Sequence, residues 1–230
     1  MSDIRSFYPN AEQGEDYTVQ CIEKLRSDFE FDFERTILAT SVCSDEIIRS
    51  ATNFRDHVAL GTPFQLGGLS GFPFTGETGF KAFAGHIPDD GFAIILYGPH
   101  IGISNSDQPG MVIRSGQMLE STCCGALMGV VNSFENDKMH EFDEEYDYQQ
   151  WKITEQLYSS RNDIIKNNQP LIAATDKMFE RIDHRIKALL DKTRDHFKEK
   201  TIALVGGIIV NTDHGSPDWF EEREFEVHSF

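Results

Sequence analysis

The sequence predicts an α/β fold, a central sheet with a parallel core flanked by helices. Residues 36–42 (TILATSV) and 92–97 (FAIILY) are short, apolar and rich in β-branched or bulky side chains, as strands buried on both faces require. Residues 201–212 (TIALVGGIIVNT) form a third such run, with Gly206-Gly207 marking a bulge. Between and around these runs lie segments whose apolar residues recur at helical spacing. The chain has 230 residues, 39% of them hydrophobic and 26% charged, which suits one large domain with a substantial core.

Taken in order, residues 1–16 are polar and acidic and read as a poorly ordered N-terminal arm, leaving 17–230 as a single α/β domain. Residues 17–31 place Val19, Ile22 and Leu25 at helical spacing, and Cys21 within them reads as a small buried hydrophobe. Ser44-Asp45-Glu46 opens a helix carrying Ile47, Ile48 and Arg49, and a further helix covers part of 49–60. Residues 61–88 form a glycine- and phenylalanine-rich segment in which Phe72, Phe74, Phe80 and Phe83 supply an apolar underside. Residues 88–91 (PDDG) make a turn. Residues 101–103 continue extended, 111–114 form a short strand, and 120–131 a helix entered through Ser121-Thr122-Cys123-Cys124. Residues 135–147 are a densely acidic, solvated connector. Two long helices follow over 149–168 and 170–200, the second with Ile172, Met178, Ile182, Ile186 and Leu189 or Leu190 on one stripe. Residues 219–227 supply an edge strand.

The net charge of −17 argues against nucleic acid, because binding a phosphate backbone needs Lys and Arg to displace counterions. It disfavours an anionic membrane surface for the same reason. No apolar run approaches the roughly 20 residues that span a bilayer. The start, MSDIRSFYPNAEQGEDY, lacks the basic-plus-apolar pattern of a signal peptide. A cytoplasmic chain is therefore expected, or an organellar one if a presequence has been removed. GGLSG lacks the GxxxxGK[ST] pattern and no GxGxxG opens a helix, so a nucleotide site has little support.

Ligands of open α/β sheets gather at the carboxyl ends of strands, and the reactive residues fall there. Cys43 follows the first strand, His100 follows the second across Gly98-Pro99, and Cys123-Cys124 precedes a helix. Four cysteines without a secretory signal read as free thiols or metal ligands rather than a disulfide framework. Zinc takes thiolate sulfur and imidazole nitrogen tetrahedrally, and a catalytic site keeps one position open for water. Cys43, His100 and one of the paired cysteines suit that description. Zinc brings the pKa of its water into the neutral range, giving a hydroxide nucleophile. Asp45 lies two residues past Cys43, and Arg49 falls on the same helical face, able to pair with it. Plainer readings exist for each: a core histidine that is simply hydrogen-bonded, and a helix-start aspartate in a surface ion pair. His86 is a rival ligand, while His57, His140, His184, His196, His214 and His228 sit in helical, acidic or terminal contexts where solvent is their partner. A cysteine hydrolase using Cys43 or Cys124 with His100 is a further reading.

Three stretches, GGLSGFPFTGETGFKAFAGHIPDDG, YGPHIGIS and CCGA, resemble the limiting-CO2-inducible B protein family, also described as theta-type carbonic anhydrases. The resemblance covers residues 35–131 and extends loosely to VNTDHG at 210–215. It implies a fold similar to β-class carbonic anhydrases, a Zn2+ held by Cys-His-Cys and an Asp-Arg pair beside it. Cys43 in SVCSDEIIR matches the first ligand, with Asp45 and Arg49 as the dyad, and His100 in YGPH matches the second. The third is Cys123 or Cys124; Cys124 is chosen because the β-class ligand is likewise followed by glycine, here Gly125. The implied activity is that of a zinc lyase interconverting carbon dioxide and bicarbonate through a zinc-bound hydroxide, in a homodimer. The alternative is a catalytically silent zinc-binding member acting as a subunit or sensor in inorganic-carbon handling. Two departures stand out. Histidine and second cysteine are far apart compared with the β class, and the arginine lies further from the aspartate than in CxDxR.

Overall fold

The computed structural model describes residues 3–50, 53–138 and 143–230, with the backbone alone for 49 and 50. It opens with α1 (Ile4–Phe7), β1 (Glu12–Gln13) and α2 (Gly14–Phe29). The polar reading of 1–16 missed a face: Ile4, Tyr8 and Ala11 recur at helix-like spacing and are buried in the core. Residues 3–16 therefore pack onto the rest of the molecule. Next come β2 (Thr36–Ser41), 3-10 turns at Glu46–Ser50 and Phe54–Asp56, β3 (Phe64–Gln65) and a 3-10 turn at Leu69–Gly71. They lead into α3 (Gly76–His86), β4 (Phe92–Tyr97), β5 (His100–Gly102), β6 (Met111–Val112), β7 (Ser121–Thr122) and α4 (Gly125–Glu135). The rest is α5 (Tyr148–Tyr158), α6 (Arg161–Lys166), α7 (Pro170–Lys192), β8 (Thr201–Asn211) and β9 (Trp219–Ser229).

The main sheet has the order β1-β9-β8-β4-β2-β3, with β5 beside the second half of β8. Its β3-β2-β4-β8 core is parallel, and β9 returns antiparallel along β8. This is the mostly parallel sheet flanked by helices that the apolar runs predicted. The amphipathic α7 starts on Pro170, whose fixed φ suits a first turn, and buries Met178, Ile182, Ile186 and Leu189 on one stripe. Among the described residues no helix is long and apolar enough to cross a membrane.

Several helical expectations needed correction. Among the described residues, 44–60 hold 3-10 turns in place of helices, residues 121–122 are a strand ahead of α4, and the helix expected over 170–200 ends at Lys192. Residues 149–168 form two helices, not one, because the chain turns at Ser159-Ser160, where Arg181 donates to Ser159 Oγ at 2.9 Å. The glycine-rich segment contains α3, which its three glycines disguised. Glycine costs a helix about 1 kcal/mol per residue, yet Phe80, Phe83 and Ala84 share one buried face, so packing overrides propensity. Phe72 and Phe74 meet edge to face, their centroids 5.2 Å apart, and line a cleft with Tyr148.

The sheet changes neighbours at one place. Tyr97 pairs with Gly206 and His100 with Ile209, so β4 and β5 lean on successive halves of one strand. The register of β8 against β9 shifts at Gly206/Gly207, where the bulge was predicted. Gly98 makes the step between β4 and β5: a Cβ there would lie 1.7 Å from the Gly207 carbonyl oxygen. Gly98→Ala is therefore expected to cost about 1–3 kcal/mol or more, read as a lower urea midpoint. An unchanged midpoint would show that the step tolerates a side chain.

Candidate metal centre

Cys43 stands just past the carboxyl end of β2, and His100 opens β5 immediately after the Gly98-Pro99 step. Cys123 and Cys124 are brought in by a short ladder: Gly102 N–H donates to Cys123 O at 2.7 Å and Cys123 N–H to Gly110 O at 2.8 Å. Gly102 is required for that approach, since a Cβ would sit 2.8 Å from Cys123 Cβ. As a result the ligand atoms of Cys43, His100 and Cys124 all lie within 4.8 Å of one another, and all three residues are buried. Asp45, His100 and Cys123 form a second group of the same tightness.

The histidine's orientation separates the two cysteines. His100 Nδ1–H donates to Asn211 Oδ1 at 2.9 Å, and Asn211 Nδ2 is spent on the Ile47 carbonyl at 3.4 Å. Cys123 Sγ lies on that same side, 3.5 Å from Nδ1 and donating to Asn211 Oδ1 at 3.8 Å. Nε2 is fully buried without a hydrogen-bond partner. A buried polar atom with nothing to bond is costly, and a histidine whose other nitrogen is anchored by an amide is arranged as a metal ligand is. Two thiols and one imidazole nitrogen fit a soft-to-borderline divalent ion. This buried group can hold a metal. Ser70, at φ 55 within GGLSG, sets its hydroxyl 3.7 Å from Cys124 Sγ.

Without an ion, the three side chains compete for protons. A hydrogen bond from Cys43 holds the Cys124 thiol well below its ordinary range, against the pull of burial. The same bond, together with burial, pushes Cys43 up. Burial works to depress the His100 ring, but the negative Cys124 sulfur and its fellow thiols prevail and hold it well above its ordinary value. Burial likewise raises Cys123. A metal must therefore displace protons from Cys43 and His100. Both values are raised, so both protons are firmly held at low pH and metal retention rises as pH increases. Dialysis against a chelator should strip the metal more completely at mildly acid than at mildly alkaline pH; retention independent of pH would exclude this competition for protons.

Asp45 sits beside the centre, its Oδ2 4.0 Å from His100 Nε2, while Oδ1 accepts from Ile47 N–H at 3.3 Å. Its guanidinium partner is Arg114, whose Nη2 lies 2.8 Å from Oδ2. Arg114 also reaches Glu46 Oε1 at 3.0 Å through Nε, and Ser121 Oγ at 2.6 Å and Thr122 O at 3.0 Å through Nη1. Arg49, the partner read from sequence, lies in the 3-10 turn Glu46–Ser50, and its side chain is outside the described residues. His86 is exposed and stacks edge-on with Phe64, and His140 is outside the described residues. A cavity of about 640 Å³ opens on Cys43, Ser44 and Asp45 and is lined further by Thr40, Gln65 and Arg55. Sequence reasoning missed Arg114 and Asn211. The first lies 69 residues from Asp45, and only its location at the end of a short predicted strand hinted at it.

Comparison with known proteins bears on this geometry. The family model for limiting CO2-inducible proteins B/C beta carbonic anhydrases matches residues 13–229. The chain belongs to this family. Among solved structures it is similar to PtLCIB4, a homolog of the limiting CO2-inducible protein LCIB, at 30% identity and TM-score 0.90, covering 98% of this chain and 94% of that one. LCIB itself shares the fold at 21% identity and TM-score 0.74, over 96% of this chain and 92% of that one. No curated protein compared with the chain matches it. LCIB-family membership and a buried Cys-His-Cys group thus stand together in one molecule.

Proposed function

We propose that this LCIB-family chain is a zinc-dependent carbonic anhydrase interconverting carbon dioxide and bicarbonate. The observation that carries the reading is the unpartnered, anchored Nε2 of His100 between two thiols, next to a carboxylate gripped by an arginine. Cys43, His100 and Cys124 would hold the ion, which when bound supplies Lewis acidity and an activated water. The protein's own groups do the rest. Asp45 is an acceptor-only carboxylate, so an attacking O–H is turned toward Oδ2 and away from the carbon. Arg114 fixes that carboxylate, and its own bonds to Ser121 and Thr122 tie it to the strand that leads into Cys123-Cys124.

The cavity on Cys43 and Asp45 admits a small uncharged substrate. Arg55 on its wall has no ion-pair partner among the described residues, so it offers the one positive charge there to a departing anion. A structural zinc site is normally closed by four protein ligands; the opening favours catalysis over a silent zinc-binding role. A homodimer is expected on the model of the β class.

Stopped-flow hydration of carbon dioxide by freshly purified, zinc-assayed protein tests the reading. Turnover well above background, lost on chelation and restored by zinc, is expected. Stoichiometric zinc with background rates would leave the silent member as the answer. Inactivation by alkylation that zinc does not prevent would point to a cysteine hydrolase.

A further inference from the structure

We propose that Asp213 is a positioning residue that aims Arg114 at Asp45; the catalytic part of this inference rests on the carbonic anhydrase reading. Asp213 lies just past the end of β8 and is 5% exposed. Its carboxylate accepts two backbone donors: Oδ1 from Ile113 N–H at 2.7 Å and Oδ2 from Asn105 N–H at 2.9 Å. The next residue, His214, donates its own N–H to Ile113 O at 2.8 Å. Asp213 and His214 thus grip Ile113 from both sides, and Ile113 is the residue before Arg114.

These contacts tie Asn105, just past β5, and Ile113, just past β6, to one carboxylate. Arg114 follows Ile113 with its guanidinium directed to Asp45 Oδ2, 2.8 Å away. The same stretch of chain anchors the histidine, because Asn211 Oδ1 accepts from His100 Nδ1. One end of β8 therefore holds both the ring that would bind metal and the loop that carries the dyad's cation. Asp213 lines a cavity of about 640 Å³ that Arg114, His57, His214 and Asp218 also line and that neither Cys43 nor Asp45 lines. It acts through Arg114 and not on substrate.

Geometry explains why a carboxylate is needed. Both partners are N–H donors and each reaches a different oxygen, so an acceptor is needed at both positions. In Asp213→Asn, one oxygen becomes an NH2 that confronts a donor, at almost unchanged size. The loop end is then released and the Arg114 guanidinium loses its fixed direction. Loss of such a supporting partner costs about 10–100-fold in activity at a metal site.

The test is a double-mutant cycle on zinc-loaded protein. Asp213→Asn should keep zinc and lower kcat about tenfold or more with KM little changed. Added to Arg114→Ala it should cost nothing further, because its effect is already gone. The same fold-loss in both backgrounds, or wild-type kcat in Asp213→Asn, would overturn the proposal. The Arg114 Nε–H resonance supplies a readout independent of turnover: it should move or broaden in Asp213→Asn, and an unmoved resonance would refute the proposal. Failure of the wild-type protein to hydrate carbon dioxide, with that resonance still displaced, would sink the anhydrase reading alone. Should Asp213→Asn not fold, Asp213→Ser, whose single shorter-reaching oxygen cannot occupy both acceptor positions, enters the same cycle with the same expected outcomes.

Discussion

Cys43→Ser is expected to lose its metal and, with it, carbon dioxide hydration. A serine hydroxyl is a poor zinc ligand beside a thiolate, and Cys43 supplies one of the three ligand atoms of the Cys43-His100-Cys124 group. Removal of a mere supporting partner already costs about 10–100-fold in metal affinity, and loss of a ligand should cost more. Zinc in the purified variant should fall to background, and the stopped-flow rate to the buffer rate. The near-ultraviolet circular dichroism should persist, because the sheet core is apolar and does not depend on sulfur. Paired variants at the neighbouring cysteines sharpen the result. Cys124→Ser should behave like Cys43→Ser, whereas Cys123→Ser should retain zinc, since that sulfur faces His100 Nδ1 and Asn211. Full zinc and full activity in Cys43→Ser would dismantle the proposed centre; zinc loss in Cys123→Ser alone would exchange the two cysteines.

Arg114→Lys is the second large expected effect. The guanidinium reaches Asp45, Glu46, Ser121 and Thr122 at once through three nitrogens. One ammonium on a flexible stem cannot span those directions, so the conservative exchange is not conservative here. The expected outcome is full zinc content with kcat lowered about 10–100-fold. Arg49→Ala serves as the comparison: a loss confined to that variant would return the dyad to the arginine first read from the sequence. A loss in the Arg114 variant alone assigns the guanidinium to the loop.

What could be read from the chain alone followed from burial and from strand ends. The runs 36–42 and 92–97 are apolar throughout because strands in a parallel core touch protein on both faces, and they became β2 and β4 within a residue. Cys43, His100 and the paired cysteines could be singled out because each falls where an element ends, the place where side chains escape the sheet ladder. The rest was hidden for physical reasons. The helix α3 carries three glycines, so propensity pointed away from it while Phe80 and Phe83 packed it into place. Arg114 and Asn211 gain their roles through contacts 69 and 111 residues distant along the chain, and no local pattern encodes such a distance. Residues 3–16 were judged by their charge, although three well-spaced apolar side chains were enough to seat them.

The switch of β8 from β4 to β5 at Gly98 has a consequence for how this molecule can vary. On one side of that seam β2, β4 and the first half of β8 pair in a continuous, apolar ladder. At the other side, the groups beside the candidate metal centre hang on side-chain and loop contacts: Asp213 on Ile113, Arg114 on Asp45, Ser70 against Cys124. The sheet ladder and the contacts that support the proposed centre thus occupy different parts of the polypeptide. Loop exchanges between relatives are expected to alter the surroundings of the proposed centre while the open, mostly parallel sheet beneath keeps its pairing.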